Sequence, residues 1–271
     1  MRLGTHPQTL LSEIATSPNQ PLQRIVLHSH SITCALWYHG VMESEFDFGD
    51  GKGLVPAHRH KNPNGSVGGW VANTATIEDN VYIGEFAVVF GKARVLGSAR
   101  VVGRTRVFGE SLIHGGAKVC GHATICDKAI VCGYATVGGF AKVNGSARIS
   151  DCAKITENAK VSDFAKVHGF SKVYGSATVG GHAVVTGASH VFGFARINDY
   201  AEINGHAQVF AEAMVGGKAC ICGYASLYGD AKINAGVMRQ ASGGRSRRKV
   251  TDSHIPIRAI KDMISLDSSI G

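Results

Sequence analysis

Hydrophobic and polar residues follow a six-residue period without interruption from Ala75 to Gly236. The first position of each hexad is Ala in 22 of 27 repeats, and the third is Val or Ile in every repeat except the one with Leu227. The fifth position is mostly Gly. Because side chains alternate across a strand, the first and third residues face one side and the second and fourth face the other. The pattern predicts short strands with small and β-branched residues inward, separated by Gly corners.

Three such strands and corners close a triangular coil, so residues three hexads apart lie one above the other. The 27 hexads predict about nine coils. At the usual strand spacing of about 4.8 Å, the prism is roughly 40 Å long. The predicted fold class is all-β, a single-stranded β-helix that occupies residues 71–239.

The two ends of the chain lack the repeat. Residues 1–70 are expected to form an N-terminal capping segment over the open end of the prism, because an uncovered end exposes unpaired strand edges. Its polar run from His58 to Gly65 predicts a loop. Residues 240–271 predict a basic linker and a C-terminal helix, since Ile257, Ile260 and Ile264 recur at helical spacing. The alternative role of this basic tail is nucleic-acid binding.

Each small residue follows an aliphatic residue by four positions, as Ala93 follows Val89. In this spacing the repeat resembles the hexapeptide-repeat, left-handed β-helix proteins, which include many acyltransferases. The element Gly68-Gly69-Trp70-Val71 before the repeat is similar to the layout of the YdcK-like proteins and their phage and prophage relatives. The resemblance covers about residues 65–236. It implies a left-handed helix, a phage-like or bacterial source and a β-helical oligomer, commonly a parallel homotrimer, and no particular activity.

Composition narrows the class of partner. The 271 residues carry a formal net charge of +8, with a pI near 9.2, which favours anionic partners.

No apolar run is long enough to cross a bilayer, so we expect a cytoplasmic protein without membrane association. The odd number of cysteines, seven, favours free thiols. Cys120, Cys126 and Cys132 recur once in each successive hexad and therefore lie on three different faces, so no metal site is expected.

A basic belt occupies the second position of six successive hexads. Six hexads make two coils, so the charges surround all three faces. The belt consists of Lys142, Arg148, Lys154, Lys160, Lys166 and Lys172. It predicts recognition of an anion, with a nucleotide, the phosphates of coenzyme A or nucleic acid as candidates. The alternative is a solvated surface that keeps the strands soluble.

An aromatic ladder is predicted on one face. Its four residues follow one another at intervals of three hexads, all at the outward fourth position: Tyr174, Phe192, Phe210 and Tyr228. We expect a subunit interface of a homotrimer there, with a surface for a ligand or host protein as one alternative and simple shielding of strand edges as another. A second column, Phe164, His182 and Tyr200, lies at a corner.

Catalysis has one weak candidate. The resembling acyltransferases use a His as general base against a coenzyme A thioester, and His190 lies beside the predicted ladder. Those enzymes also extrude a loop from the helix to enclose the substrate, whereas no hexad is interrupted between residues 75 and 236. The expected function is a non-enzymatic, phage-associated oligomer that captures an anionic small molecule or a host protein and has no cofactor. The alternatives are a coenzyme A-dependent acyltransferase and a structural rod or filament subunit.

Overall fold

Each hexad forms a short strand that begins at its second position, two residues long except for Cys220–Gly223, and the next residues turn the chain through a corner. A computed structural model describes residues 44–240 and the backbone of residues 247–249. All regular elements in these ranges are strands. The all-β class and the β-helical architecture predicted from the repeat are therefore confirmed.

The strands form three faces, which are named here in chain order. Face 1 contains Val67–Ala72, Val88–Val89, Arg106–Val107, Thr124–Ile125, Lys142–Val143, Lys160–Val161, Thr178–Val179, Arg196–Ile197, Met214–Val215 and Lys232–Ile233. Face 2 contains Thr76–Ile77, Arg94–Val95, Leu112–Ile113, Ile130–Val131, Arg148–Ile149, Lys166–Val167, Val184–Val185, Glu202–Ile203, Cys220–Gly223 and Val237–Gln240. Face 3 contains Tyr82–Ile83, Arg100–Val101, Lys118–Val119, Thr136–Val137, Lys154–Ile155, Lys172–Val173, His190–Val191, Gln208–Val209 and Ser226–Leu227.

Successive coils pair in parallel with a register of three hexads, as Lys142 does with Lys160. The helix has about ten coils, one more than predicted, because the strand Val67–Ala72 of the Gly-Gly-Trp element is itself the first side of a coil. Gly69 occupies the inward first position of that strand. A Cβ atom there would collide with the Ala87 carbonyl oxygen, so even Ala does not fit. The left-handed sense of the coil stays a prediction.

The interior consists of the first and third positions. Both are inaccessible to solvent along nearly the whole prism, from Val81 to Ala225. Burial of one Val or Ile contributes about 1.5–3 kcal/mol, and stacking makes the cluster continuous from Val71 to Met238. The core predicted from the alternation is therefore the core observed.

The corners at the fifth position adopt left-handed backbone conformations from Gly91 to Gly229. Gly suits them, yet described residues with side chains do so as well, namely Asp127, Asp151, Glu157, Asp163, Asp199 and Ala211. Each of the five acids accepts a hydrogen bond from the backbone N–H of the Gly one coil later, at 2.8–2.9 Å. The bond offsets the cost of a left-handed non-Gly residue and joins two coils.

The described part of the N-terminal segment is an antiparallel extension of face 1. Strand β1 (Glu45–Asp47) pairs with β2 (Leu54–Lys61), and β2 pairs with β3 (Val67–Ala72). The loop predicted from His58 to Gly65 was wrong in its first half, because β2 continues to Lys61, and a turn follows only after residue 62. The register shifts near its end, and His60 is buried there.

Two polar residues at the end of β2 close the edge of face 3. The Asn62 amide accepts a hydrogen bond from the Ile83 N–H at 2.8 Å and donates one to the Ile83 carbonyl at 3.1 Å. The His60 Nε2 lies 3.1 Å from the Val81 carbonyl oxygen. Asn62 therefore takes the place of the peptide group that a further coil would supply.

At the other end, Val237–Gln240 pairs in parallel with Cys220–Gly223 and antiparallel with Arg247–Lys249. Part of the expected basic linker is thus a strand. The helix expected around Ile257, Ile260 and Ile264 lies outside the described residues, as does the segment 1–43.

Candidate anion-binding surface and aromatic ladder

The six cations of the basic belt are all exposed and form three stacked pairs, one on each face. The backbones of each pair are directly opposed on successive coils: Lys142 with Lys160, Arg148 with Lys166, and Lys154 with Lys172. Like charges placed opposite each other on adjacent strands are destabilising. The belt therefore holds three repulsive contacts in two coils, and its role in anion binding stays a prediction.

The carboxylates near the belt are occupied elsewhere. Between Ala141 and Ser176 the acids are Asp151, Glu157 and Asp163, and all three lie at corners. Each accepts a backbone N–H from a Gly of the next coil at 2.9 Å. In the described part of the chain no ion pair reaches a belt cation. Positive charge therefore lies on the faces, unneutralised, and negative charge lies at the corners.

The aromatic ladder is continuous on face 3. Its ring centroids are 4.9, 4.8 and 5.4 Å apart from Tyr174 through Phe192 and Phe210 to Tyr228, and the planes lie within 19° of parallel. All four side chains are half-buried. Within the ladder the facing sides of successive rings are stacked on each other, so a planar ligand has no room to insert between them. The ladder offers only ring edges and its two ends to a partner.

A second stack of aromatic rings lies on face 1 beneath the N-terminal hairpin. It joins Phe46 to Trp70 and Phe48 to Phe90 and Phe108, with centroid separations of 4.7–4.9 Å. The Arg106 guanidinium donates a hydrogen bond to the Phe48 carbonyl at 2.8 Å and lies over the Phe90 ring. This covered stack was missed in the sequence because Phe46 and Phe48 lie outside the repeat.

The exposed aromatic side chains share one position that the repeat did not reveal. All exposed Phe and Tyr residues in the described chain occupy the sixth position, at corners on all three edges: Phe86, Tyr134, Phe140, Phe164, Phe170, Phe194, Tyr200 and Tyr224. The expected corner column is present, because His182 stacks between Phe164 and Tyr200 at 4.9 Å on each side. Exposed rings therefore surround the prism and do not mark one face.

His190 lies on face 3 directly above Lys172, and its ring meets Tyr174 edge-on with centroids 6.2 Å apart. Burial, and then the charge of Lys172, lowers the pKa of His190, so the uncharged imidazole predominates at neutral pH. Among the described side chains none donates to or accepts from its ring nitrogens. The group that would orient a general base is therefore not provided by the described residues.

His168 is a histidine with a carboxylate partner, and it was missed in the sequence. Its Nδ1 lies 3.6 Å from Asp151 and 3.1 Å from the Thr186 hydroxyl. The three residues come from three successive coils of face 2 and its corner. The stacking period could have revealed the contact, since Asp151 lies one coil below Gly169, the residue next to His168.

The cysteines, a possible metal site and the surface groove were the other candidate sites. The six described cysteines are free thiols, and burial raises the pKa of Cys126 to about 11, which leaves it protonated. Within residues 44–240 no three His, Cys, Asp or Glu side chains converge on a metal-sized site. A shallow groove lined by Phe194, Arg196, Glu212 and Met214 lies between a corner and face 1, away from the belt. None of the described segments forms a helix long and apolar enough to span a membrane.

No family model matches the chain, and no curated protein matches its sequence. The architecture therefore stands on the geometry alone.

Proposed function

We propose that the protein is a non-enzymatic, oligomeric binding scaffold whose basic belt captures an anionic partner. The observation that carries the proposal is the set of three stacked cation pairs, one on each face, without an ion-pair partner in the described chain. A bound anion would relieve the repulsion within each pair, which is a favourable contribution the free protein lacks.

The fold itself does not require charge at these positions. The same columns carry Thr124 and Thr178 on face 1 and Thr136 on face 3, one coil from the belt. Threonine suits an outward strand position well because it is β-branched and polar. The cation pairs therefore add repulsion where a neutral residue serves the strand, which supports a role in binding.

The geometry favours a ligand with several charged oxygens. Adjacent strands lie about 4.8 Å apart, so one phosphate or carboxylate group can contact both cations of a pair. The faces are flat, and the pairs point in three directions. This arrangement suits a phosphate-rich small molecule or an acidic protein segment on any one face better than continuous contact with one side of a duplex.

Binding is tested by titrating the full chain with inorganic triphosphate and with ATP in an isothermal calorimeter. We expect the Lys154→Gln/Lys172→Gln variant to bind less anion than the unmodified protein, because it removes one complete pair and leaves two. The matched control is Lys92→Gln/Lys218→Gln, which removes the same charge from corners away from the belt. Equal weakening in both variants would indicate a response to net charge and would refute the belt as a site. Absence of heat with the unmodified protein would refute this anion class altogether.

The proposed oligomer uses the aromatic ladder as its contact. A homotrimer is the assembly we propose, on the resemblance of the repeat, and the ladder supports it because its four aromatic rings are only half-buried.

A further inference from the structure

The belt and the ladder meet on face 3. Lys154 and Lys172 occupy successive coils, and His190 continues the same column one coil higher. Tyr174, the first rung of the ladder, follows Lys172 by two residues and points to the same side. This junction therefore collects two ammonium groups, an imidazole and a phenol on one flat surface.

The junction contains hydrogen-bond donors and lacks acids. The outward columns of face 3, at the second and fourth positions from Tyr82 to Tyr228, contain no Asp or Glu. The nearest carboxylate, Glu157, lies at the corner and accepts the Gly175 N–H at 2.9 Å. Burial, with a further contribution from Glu157, raises the pKa of Tyr174, so its hydroxyl stays protonated and can donate.

The other two faces are less suited to an anion. On face 2 the Arg148–Lys166 pair lies beside His168, whose Nδ1 is already 3.6 Å from the Asp151 carboxylate. On face 1 the Ser162 hydroxyl next to Lys160 donates to Asp163. The junction combines a cation pair with an imidazole and a phenol, and no described carboxylate is bonded to either of these two groups.

We infer that Lys154, Lys172, Tyr174 and His190 form a binding site for a phosphate-type oxyanion, and that His190 takes up a proton when the anion binds. The inference rests on the proposed function and identifies which part of the belt is used. The groups that face His190 are Lys172 below, Tyr174 at its edge, Gln208 above and Phe192 beside it. Lys172 carries the one full charge among them.

The sign of the coupling follows from that charge. In the free protein, burial and Lys172 disfavour the imidazolium, so the pKa of His190 lies below its ordinary value. An anion between Lys172 and His190 neutralises the former and stabilises the protonated form of the latter, so the pKa rises in the complex. Binding then strengthens as pH falls through the interval between the two pKa values, by up to about tenfold for each unit that separates them.

The test is an NMR titration of the histidine ring resonances in the full chain, with and without inorganic pyrophosphate. We expect the pKa of His190 to rise by about one unit or more, with a matching gain in affinity as pH falls through the interval between the free and bound pKa values. His182, stacked between Phe164 and Tyr200, is the internal control, and its ring resonances should not respond to pyrophosphate. An equal response of both histidines would contradict a local site.

Two variants separate the junction from the rest of the belt. His190→Gln should bind pyrophosphate without the pH dependence, and Gln208 in the same column shows that glutamine fits the strand. Lys172→Gln should bind more weakly than Lys142→Gln, the matched change on face 1. Pyrophosphate binding with an unmoved His190 pKa would overturn the junction and leave the belt proposal standing. No binding at any pH would overturn both.

Discussion

The N-terminal and C-terminal coils contain aromatic stacks of the same spacing but different cover. On face 1 the hairpin β1–β2 lies over the stack, and Phe48 and Phe90 are each only 4% exposed. On face 3 the ladder from Tyr174 to Tyr228 is only half-buried along its whole length. The repeat alone brings rings to about 4.9 Å, because coils advance by one strand spacing. In contrast, the residues that cover the stack on face 1 come from outside the repeat.

The interiors of the same two regions differ as well. In the N-terminal coils the hydroxyls of Thr105 and Ser111 point into the core, and neither has a hydrogen-bond partner among the described residues. In the C-terminal coils Ser171 and Ser189 donate to the carbonyls of His168 and Thr186, at 2.8 and 2.7 Å. A hydroxyl at the inward first position therefore occurs both with and without a hydrogen-bond partner. Stability measurements can distinguish the two cases.

The largest expected difference between the regions concerns the two stacks. Phe90→Ala should lower the free energy of unfolding by about 3–5 kcal/mol, because it empties a buried site beneath the hairpin. Phe192→Ala should lower it by less than about half of that, because its ring is already partly hydrated. Urea unfolding followed by circular dichroism measures both. Equal losses would show that the cover does not distinguish the stacks.

The next effect concerns association through the ladder. Phe192→Ser and Phe210→Ser should raise the dissociation constant of the oligomer at least tenfold, since aromatic rings supply most of the contact area there. Sedimentation velocity over a range of concentrations gives this constant. Phe170→Ser is the control, because it removes an exposed corner ring that belongs to neither stack. An unchanged mass in the ladder variants would remove the ladder as a subunit contact.

The smallest effect concerns the interior hydroxyls. Thr105→Val should stabilise the protein by about 1 kcal/mol, because an unpartnered buried hydroxyl is replaced by a methyl group of similar volume. Ser189→Ala should destabilise it by about 1 kcal/mol, because a hydrogen bond to the Thr186 carbonyl is lost. Thermal unfolding of the two variants compares them directly. If both substitutions changed the stability in the same direction, the presence of a hydrogen-bond partner would not be what decides the effect.

The sequence predicts the repeating part of the molecule well, because each inward residue recurs with one period and one chemistry. The stacking of Phe192 on Phe210 and the pairing of Lys154 with Lys172 both follow from counting three hexads along the chain. The same count predicts which residues share a face, and the described coils agree with it.

Features that do not follow from the six-residue repeat could not be predicted by counting hexads. Asn62 and His60 are polar, and polar runs usually indicate loops, yet they are buried because unpaired peptide groups at the end of a sheet need partners. The hydrogen bonds that corner acids such as Asp163 accept depend on a left-handed backbone, which the residue types alone do not show. The covered stack needs Phe46 and Phe48, whose position depends on a hairpin outside the repeat.

Because the register is regular, the number of a residue gives both its height along the prism and the face on which it lies. A deletion of three hexads shortens the prism by about 4.8 Å and leaves every downstream side chain on its original face. A deletion of one hexad preserves every inward Ala and Val but turns all downstream residues to the next face. One such event between Tyr174 and Phe192 would separate the first rung of the ladder from the rest without disturbing the core. The length of the rod and the alignment of its surface columns can therefore change independently, by insertions of different size.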